Sequence, residues 1–179
     1  KFVNNLLMPF KKICLIFFTS LVLLAACSKK EPAYVPTEKI DPYSVYKTAY
    51  DAFEKGDYFF ASKKFFEAEL SFKVLEYSSK SAIMGCYSLY GINFFDDALV
   101  NLERFLRQYP ADKNIIYAHY LIAIIYYEQI TDEKKDMEPL LKTKNKIDFF
   151  LNKYPDNEYA IDLQFKKDLI INQMAAKEL

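Results

Sequence analysis

Three patterns of apolar and polar positions follow one another along the chain. Ile13 to Ala26 is a nearly unbroken apolar run that starts just after Lys11 and Lys12. Ser28 to Asp41 ("SKKEPAYVPTEKID") holds two prolines and no apolar period. From Pro42 onward, apolar residues recur every three or four positions, the spacing that gathers them on one side of a helix. That long third part is predicted to be all-α.

The helical part repeats itself. Ala49 is followed seven positions later by Gly56-Asp57-Tyr58, then by Ala61, Phe65 and Ala68. A shift of 37 brings back Cys86, a turn at Asn93-Phe94-Phe95, then Ala98, Leu102 and Phe105, closed by Pro110. Ala123 is the small residue of a third copy, whose second half (Thr143, Ile147, Phe150, Pro155) is displaced by a longer loop. "RQYP" and "NKYP" end successive units 45 residues apart. This order of small residue, turn, alanine, aromatic and proline resembles the tetratricopeptide repeat. Small side chains are needed where two antiparallel helices cross closely, and Gly56 lets the chain leave the first helix with positive φ. Gly91 is read as ending a helix in the same way, and the prolines stop the second helices. One unit cannot bury its own apolar face, so units must stack. The expected fold is a right-handed superhelical solenoid of tetratricopeptide-like helical hairpins, about three and a half repeats over residues 42–179. An unrelated helical bundle is the competing fold. A final helix, about 157–177, presents Ile161, Phe165 and Leu169 in one stripe with no successor, so the natural chain is expected to continue past Leu179.

The front end assigns a compartment. A run of 14 residues is too short to span a hydrocarbon core, which takes roughly 20 in a helix. Positive start, short apolar middle and small residues at the end are the layout of a signal peptide, here residues 1–26 with a natural start expected at Met8. Leu24-Ala25-Ala26-Cys27 looks like a bacterial lipobox, in which the cysteine thiol accepts diacylglycerol and the freed amine an acyl chain such as palmitate. An ordinary signal peptide and a membrane-spanning anchor are the alternatives. Ser28 resembles the residue type of lipoproteins sent to the outer membrane. Residues 27–41 are then a lipidated end and a tether.

Composition removes several function classes. The chain has 24 basic and 24 acidic residues; three of the lysines lie in the leader, leaving 21 against 24 and no reason to expect nucleic-acid binding. Without Cys14 and Cys27, Cys86 has no partner for a disulfide. No cofactor or metal is expected. The single histidine, His119, falls on the packing face and reads as a core residue rather than a catalytic one. Asp96-Asp97 opens a helix, where acids are favoured. Glu103/Arg107 is an exposed i,i+4 pair, and Glu133 to Asp136 a charged loop.

One face of each first helix is left over by the packing. It collects Tyr43, Tyr46, Tyr50 and Phe53; Lys80, Ile83, Tyr87 and Tyr90; and Tyr117, Tyr120, Ile124 and Tyr127. Nine of these twelve are aromatic. Tyrosine covers apolar surface while its hydroxyl stays hydrogen-bonded, and few torsions freeze on contact. Such a groove would take an extended or helical peptide with aromatic and aliphatic side chains. The competing explanation is that a chain 17% aromatic packs rings everywhere, with Tyr117 and Tyr127 filling gaps at the loop.

Anchor, tether and repeats together resemble the BamD family of the β-barrel assembly machinery. The residues that carry the resemblance are "YAHYLIAIIYYEQITDEKKD" (Tyr117–Asp136), similar to the family's Tyr-x-x-Tyr-Leu-x-x-x-x-Tyr-Tyr-Glu-Gln-Ile stretch, and "YPDNEYAIDLQFKKDLIINQMAAKEL" (Tyr154–Leu179). Ser71-Phe72-Lys73 departs from the usual Tyr-Pro close of unit one, Lys135 stands where arginine is usual, and Asn157 where serine is. The resemblance implies a non-enzymatic scaffold, lipid-anchored on the periplasmic face of the outer membrane. It also implies binding of unfolded outer-membrane β-barrel proteins and docking to BamA and accessory Bam lipoproteins. Another repeat lipoprotein, such as a pilotin for secretins, shares anchor and fold; an envelope-bound enzyme is a third reading.

Overall fold

Short polar side chains set the starts of the first two helices. The Asp41 carboxylate accepts hydrogen bonds from the backbone N–H groups of Tyr43 and Ser44, each 3.2 Å, with Pro42 at the first helical position. Asp57 caps the next helix through the Phe60 N–H at 3.2 Å. The structure is a computed structural model and describes residues 41–130 and 137–177. The leader, Cys27, the tether, the charged loop with Lys135, and Leu179 lie outside the described residues.

The described residues form α1 (Pro42–Glu54), α2 (Tyr58–Ser71), α3 (Leu75–Gly91), α4 (Phe95–Gln108), α5 (Ile115–Glu128), α6 (Glu138–Lys153) and α7 (Tyr159–Lys177), with no strand among them. All belong to one unit, Ile40–Leu179. Each helix packs on its chain neighbour, from α1 on α2 through α6 on α7, and α5 also reaches α7. Neighbour-by-neighbour packing of this kind is how a solenoid is built. The fold is therefore all-α, a helical solenoid of three hairpins followed by α7.

Small residues fill the seams. Ala49, Ala61, Cys86, Ala98 and Ala123 are fully buried, and beside them Phe65, Leu102, Phe105, Ile147 and Phe150 also have no exposed surface. Burying each of these large side chains contributes about 1.5–3 kcal/mol. Close approach also explains Gly85: a Cβ there would lie 2.7 Å from the Phe66 ring, so α2 and α3 meet over it.

The turns differ between units. Gly56 has φ +78°, as the first turn requires. In the second unit Gly91 is still helical, and the left-handed position falls on Asn93 at φ +59°. Asparagine tolerates that conformation better than most side chains, which is why the turn works two residues later than the glycine suggested. Each second helix closes on an aromatic residue whose N–H returns to the last turn: Phe72 to Ala68 O, Tyr109 to Phe105 O, Tyr154 to Phe150 O. Phe72 thus takes the place of the tyrosine in the other two units, without the following proline.

A buried ion pair joins units one and two. Glu69 on α2 is 5% exposed, and both its oxygens accept from the Arg104 guanidinium of α4, at 2.6 and 2.7 Å. The Tyr109 hydroxyl donates to the same carboxylate at 2.9 Å. The fork geometry satisfies the carboxylate where water is excluded.

Candidate functional site: an aromatic row across the hairpins

The first helices α1, α3 and α5 present their leftover faces side by side, and α7 continues the series. Ring centroids run from Phe53 to Tyr87 (5.7 Å), Tyr87 to Tyr117 (6.4 Å) and Tyr117 to Tyr159 (5.9 Å). Tyr159 stacks on Tyr120 at 4.3 Å, and Tyr90 joins the row through Tyr87 at 6.1 Å. These are the separations at which ring edges and faces attract. The 37-residue repeat brings Phe53, Tyr87, Tyr90, Tyr117 and Tyr120 together as one connected row.

The remaining sequence-predicted residues sit around it. Tyr46 is half-buried against Phe65 at 5.5 Å, with the Lys80 ammonium 5.6 Å from its ring. Tyr43 belongs to a separate cluster with Phe72 and Tyr77. Tyr50 is exposed, its hydroxyl pKa raised mainly by hydrogen bonding with Glu54. Tyr127 lies under the Lys166 ammonium, 5.0 Å from its ring, and Lys166 is held by Asp162 at 3.0 Å. Ile83 and Ile124 do not line this face. Both are buried, each taken into a core cluster shared with neighbouring helices.

Tyr159 was missed by the repeat spacing. It lies on α7, which belongs to no hairpin, and its only sequence signal is its position in the segment following "NKYP". Its ring packs on Tyr117 at 5.9 Å.

The row is neutral and mostly apolar. Burial raises the Tyr117 hydroxyl pKa well above the ordinary value. Burial, followed by the hydrogen bond to Asp162, does the same for Tyr120, whose O–H donates to Asp162 Oδ2 at 3.0 Å. Burial also raises that of Tyr90. These phenols therefore stay protonated at neutral pH, able to donate and accept hydrogen bonds. Tyr87, 37% exposed, leaves its ring open to solvent, and Lys80 and Lys166 add cations beside the row.

Of the candidate reactive groups, Cys86 is fully buried and His119 half-buried. Burial pushes the Cys86 thiol up to about 12, so it stays uncharged. His119 packs on Phe149 (5.1 Å) and Tyr154 (5.8 Å) beside a cavity of about 320 Å³. Burial, then the charges of Lys153 and Lys146, lower it to about 4, so it is neutral at pH 7.

The model of the YfiO family, described as "Outer membrane lipoprotein", matches residues 38–179. The chain belongs to this family. Three relatives named "Outer membrane protein assembly factor BamD" agree with that membership. The one from Caulobacter vibrioides (strain ATCC 19089 / CIP 103742 / CB 15) is 31% identical over 172 residues, covering 96% of this chain and 56% of the relative. That from Rickettsia prowazekii (strain Madrid E) is 33% identical over 104 residues, 58% of this chain and 41% of the relative. That from Xylella fastidiosa (strain Temecula1 / ATCC 700964) is 27% identical over 129 residues, 63% and 44%. The chain spans about half the length of the curated relatives it matches. The YfiO match takes in every described helix and the whole aromatic row.

Proposed function

We propose that this member of the YfiO family is a non-enzymatic assembly factor for outer-membrane β-barrel proteins. Fastened by acyl chains on Cys27 to the periplasmic face of the outer membrane, it binds unfolded barrel proteins along the aromatic row. It docks to BamA and the accessory Bam lipoproteins. The observation that carries the reading is the connected row Phe53–Tyr87–Tyr117–Tyr159. It offers ring faces and neutral hydroxyls without a charged group between them. Barrel proteins end in amphipathic strands rich in aromatic residues, and such a strand stacks its rings while its backbone meets the phenol hydroxyls. The names of the relatives support the same role.

The test is binding of a synthetic peptide that reproduces the aromatic-ended terminal strand of a barrel protein. Replacing Tyr87 and Tyr117 together by alanine is expected to weaken binding about tenfold or more, a loss of roughly 1.4 kcal/mol. Unchanged affinity, with helicity intact by circular dichroism, would count against the row. Co-purification from the envelope separates the roles: BamA with the chain supports it, and a secretin in its place does not.

A further inference from the structure

The edge at which each second helix returns to the next first helix is polar in two units and apolar in one. Between α4 and α5 the return is Pro110-Ala111-Asp112-Lys113-Asn114, and between α6 and α7 it is Pro155-Asp156-Asn157-Glu158. Between α2 and α3 it is Phe72-Lys73-Val74, and its surroundings are bare. Leu70 is 85% exposed, Leu75 69%, Tyr43 56%, Val74 52% and Tyr77 41%. Phe72 sits beneath them, stacked on Tyr77 at 5.3 Å and edge-on to Tyr43 at 5.0 Å. Contiguous exposed apolar surface of this kind marks a contact site. Ile161 is also exposed beside the α6–α7 return, but the connecting segments of the other two units are themselves polar, so the fold does not require an apolar one.

We propose that this α2–α3 edge is a second membrane contact, a patch that rests in the interfacial layer of the bilayer. The proposal rests on the reading that Cys27 is acylated. Only 14 residues, Ser28 to Asp41, separate Cys27 from Pro42. Fully extended they reach about 45 Å, an upper bound whatever their conformation. They end at Asp41, whose carboxylate caps the turn that carries Tyr43, so the tether joins the folded part at this edge and keeps it within reach of the membrane. The residue types suit that layer: tyrosine favours the headgroup level, and leucine and valine the acyl boundary. Lys73 supplies a cation in the middle of the patch for anionic headgroups, and Glu76 lies 3.9 Å from Lys113. Among the described residues no helix is long and apolar enough to cross a membrane, so the contact is one of surface seating. Tethering makes even a weak contact persistent by raising the local concentration of lipid.

The chain contains no tryptophan, so a single Leu75→Trp substitution reports on this patch without background. Val100→Trp, at an α4 position that is 64% exposed, is the control. The full acylated chain is reconstituted into phosphatidylethanolamine–phosphatidylglycerol vesicles with and without brominated acyl chains. The Leu75→Trp emission is expected to shift to the blue and to be quenched several-fold by brominated lipid, while the Val100→Trp emission does neither. Equal, unshifted emission from the two variants overturns the proposal. So does a blue shift that brominated lipid leaves unquenched, which would assign the patch to a second copy or another protein. Vesicle flotation of a Cys27→Ser chain tests the anchor separately: undiminished flotation defeats the anchor reading, whatever the tryptophan variants report.

Discussion

The seams inside the hairpins and the aromatic row on their first helices are built from the same repeat and obey opposite rules. In the seams, Ala49, Ala61, Cys86, Ala98 and Ala123 have no exposed surface and no room to change. In the row, Phe53, Tyr87, Tyr90, Tyr117 and Tyr120 touch each other at 5.7–6.4 Å and keep part of every ring outside the core. Seam residues are fixed by backbone distance. Row residues rest on the core along one edge, Phe53 on Phe65 and Tyr120 on Phe150, and keep the rest of each ring for one another and for solvent. The difference teaches that one helix can close a seam with one face and, on the proposed function, offer a binding surface with the next.

Substitutions can break or sharpen that separation. The largest effect is expected in the core beside the seam: Phe105→Ala should lower unfolding free energy by about 3–5 kcal/mol, read from urea denaturation, and leave peptide contacts of the row in place. Glu69→Ala, which strips the partner from both Arg104 and Tyr109, should cost about 2–3 kcal/mol. Glu69→Gln should recover part of that loss. Tyr87→Ala, which ends three ring contacts at a partly exposed site, should cost about 1–2 kcal/mol of stability while weakening peptide binding. Equal losses from Phe105→Ala and Tyr87→Ala would erase the distinction between the two faces.

The smallest effect is one of pH. His119 takes up its proton near 6.5 when unfolded and near 4 when folded. Between those values the unfolded chain holds more protons, so stability falls as pH drops from 6.5 to 4. His119→Gln should flatten the dependence over that window without changing peptide affinity at pH 7, since the imidazole lies against α6 and not in the row.

What was legible in the sequence follows the same division. The 37-residue spacing of Ala49, Cys86 and Ala123 announced the hairpins because close helix crossings admit only small residues, and that constraint leaves a mark on composition. The row was legible only in part. Its members could be counted on one helical face, but Ile83 and Ile124, counted on the same face, are buried against neighbouring helices, and no local pattern records those neighbours. Tyr159 escaped because its partners Tyr117 and Tyr120 are about forty residues away and outside the hairpin logic. Glu69 and Arg104 escaped for a similar reason: each reads as a charged residue on a helix, and only their meeting across two units buries the carboxylate.

The central claim is that the aromatic row is where a client chain lies. Photo-crosslinking measures this most directly, with p-benzoylphenylalanine replacing Tyr87 or Tyr117 in turn and Val100 or Leu141 as exposed controls, against an unfolded barrel protein. The account predicts adducts from the two row positions and none above background from the controls. Adducts confined to the control positions, or absent from both row positions, would contradict it.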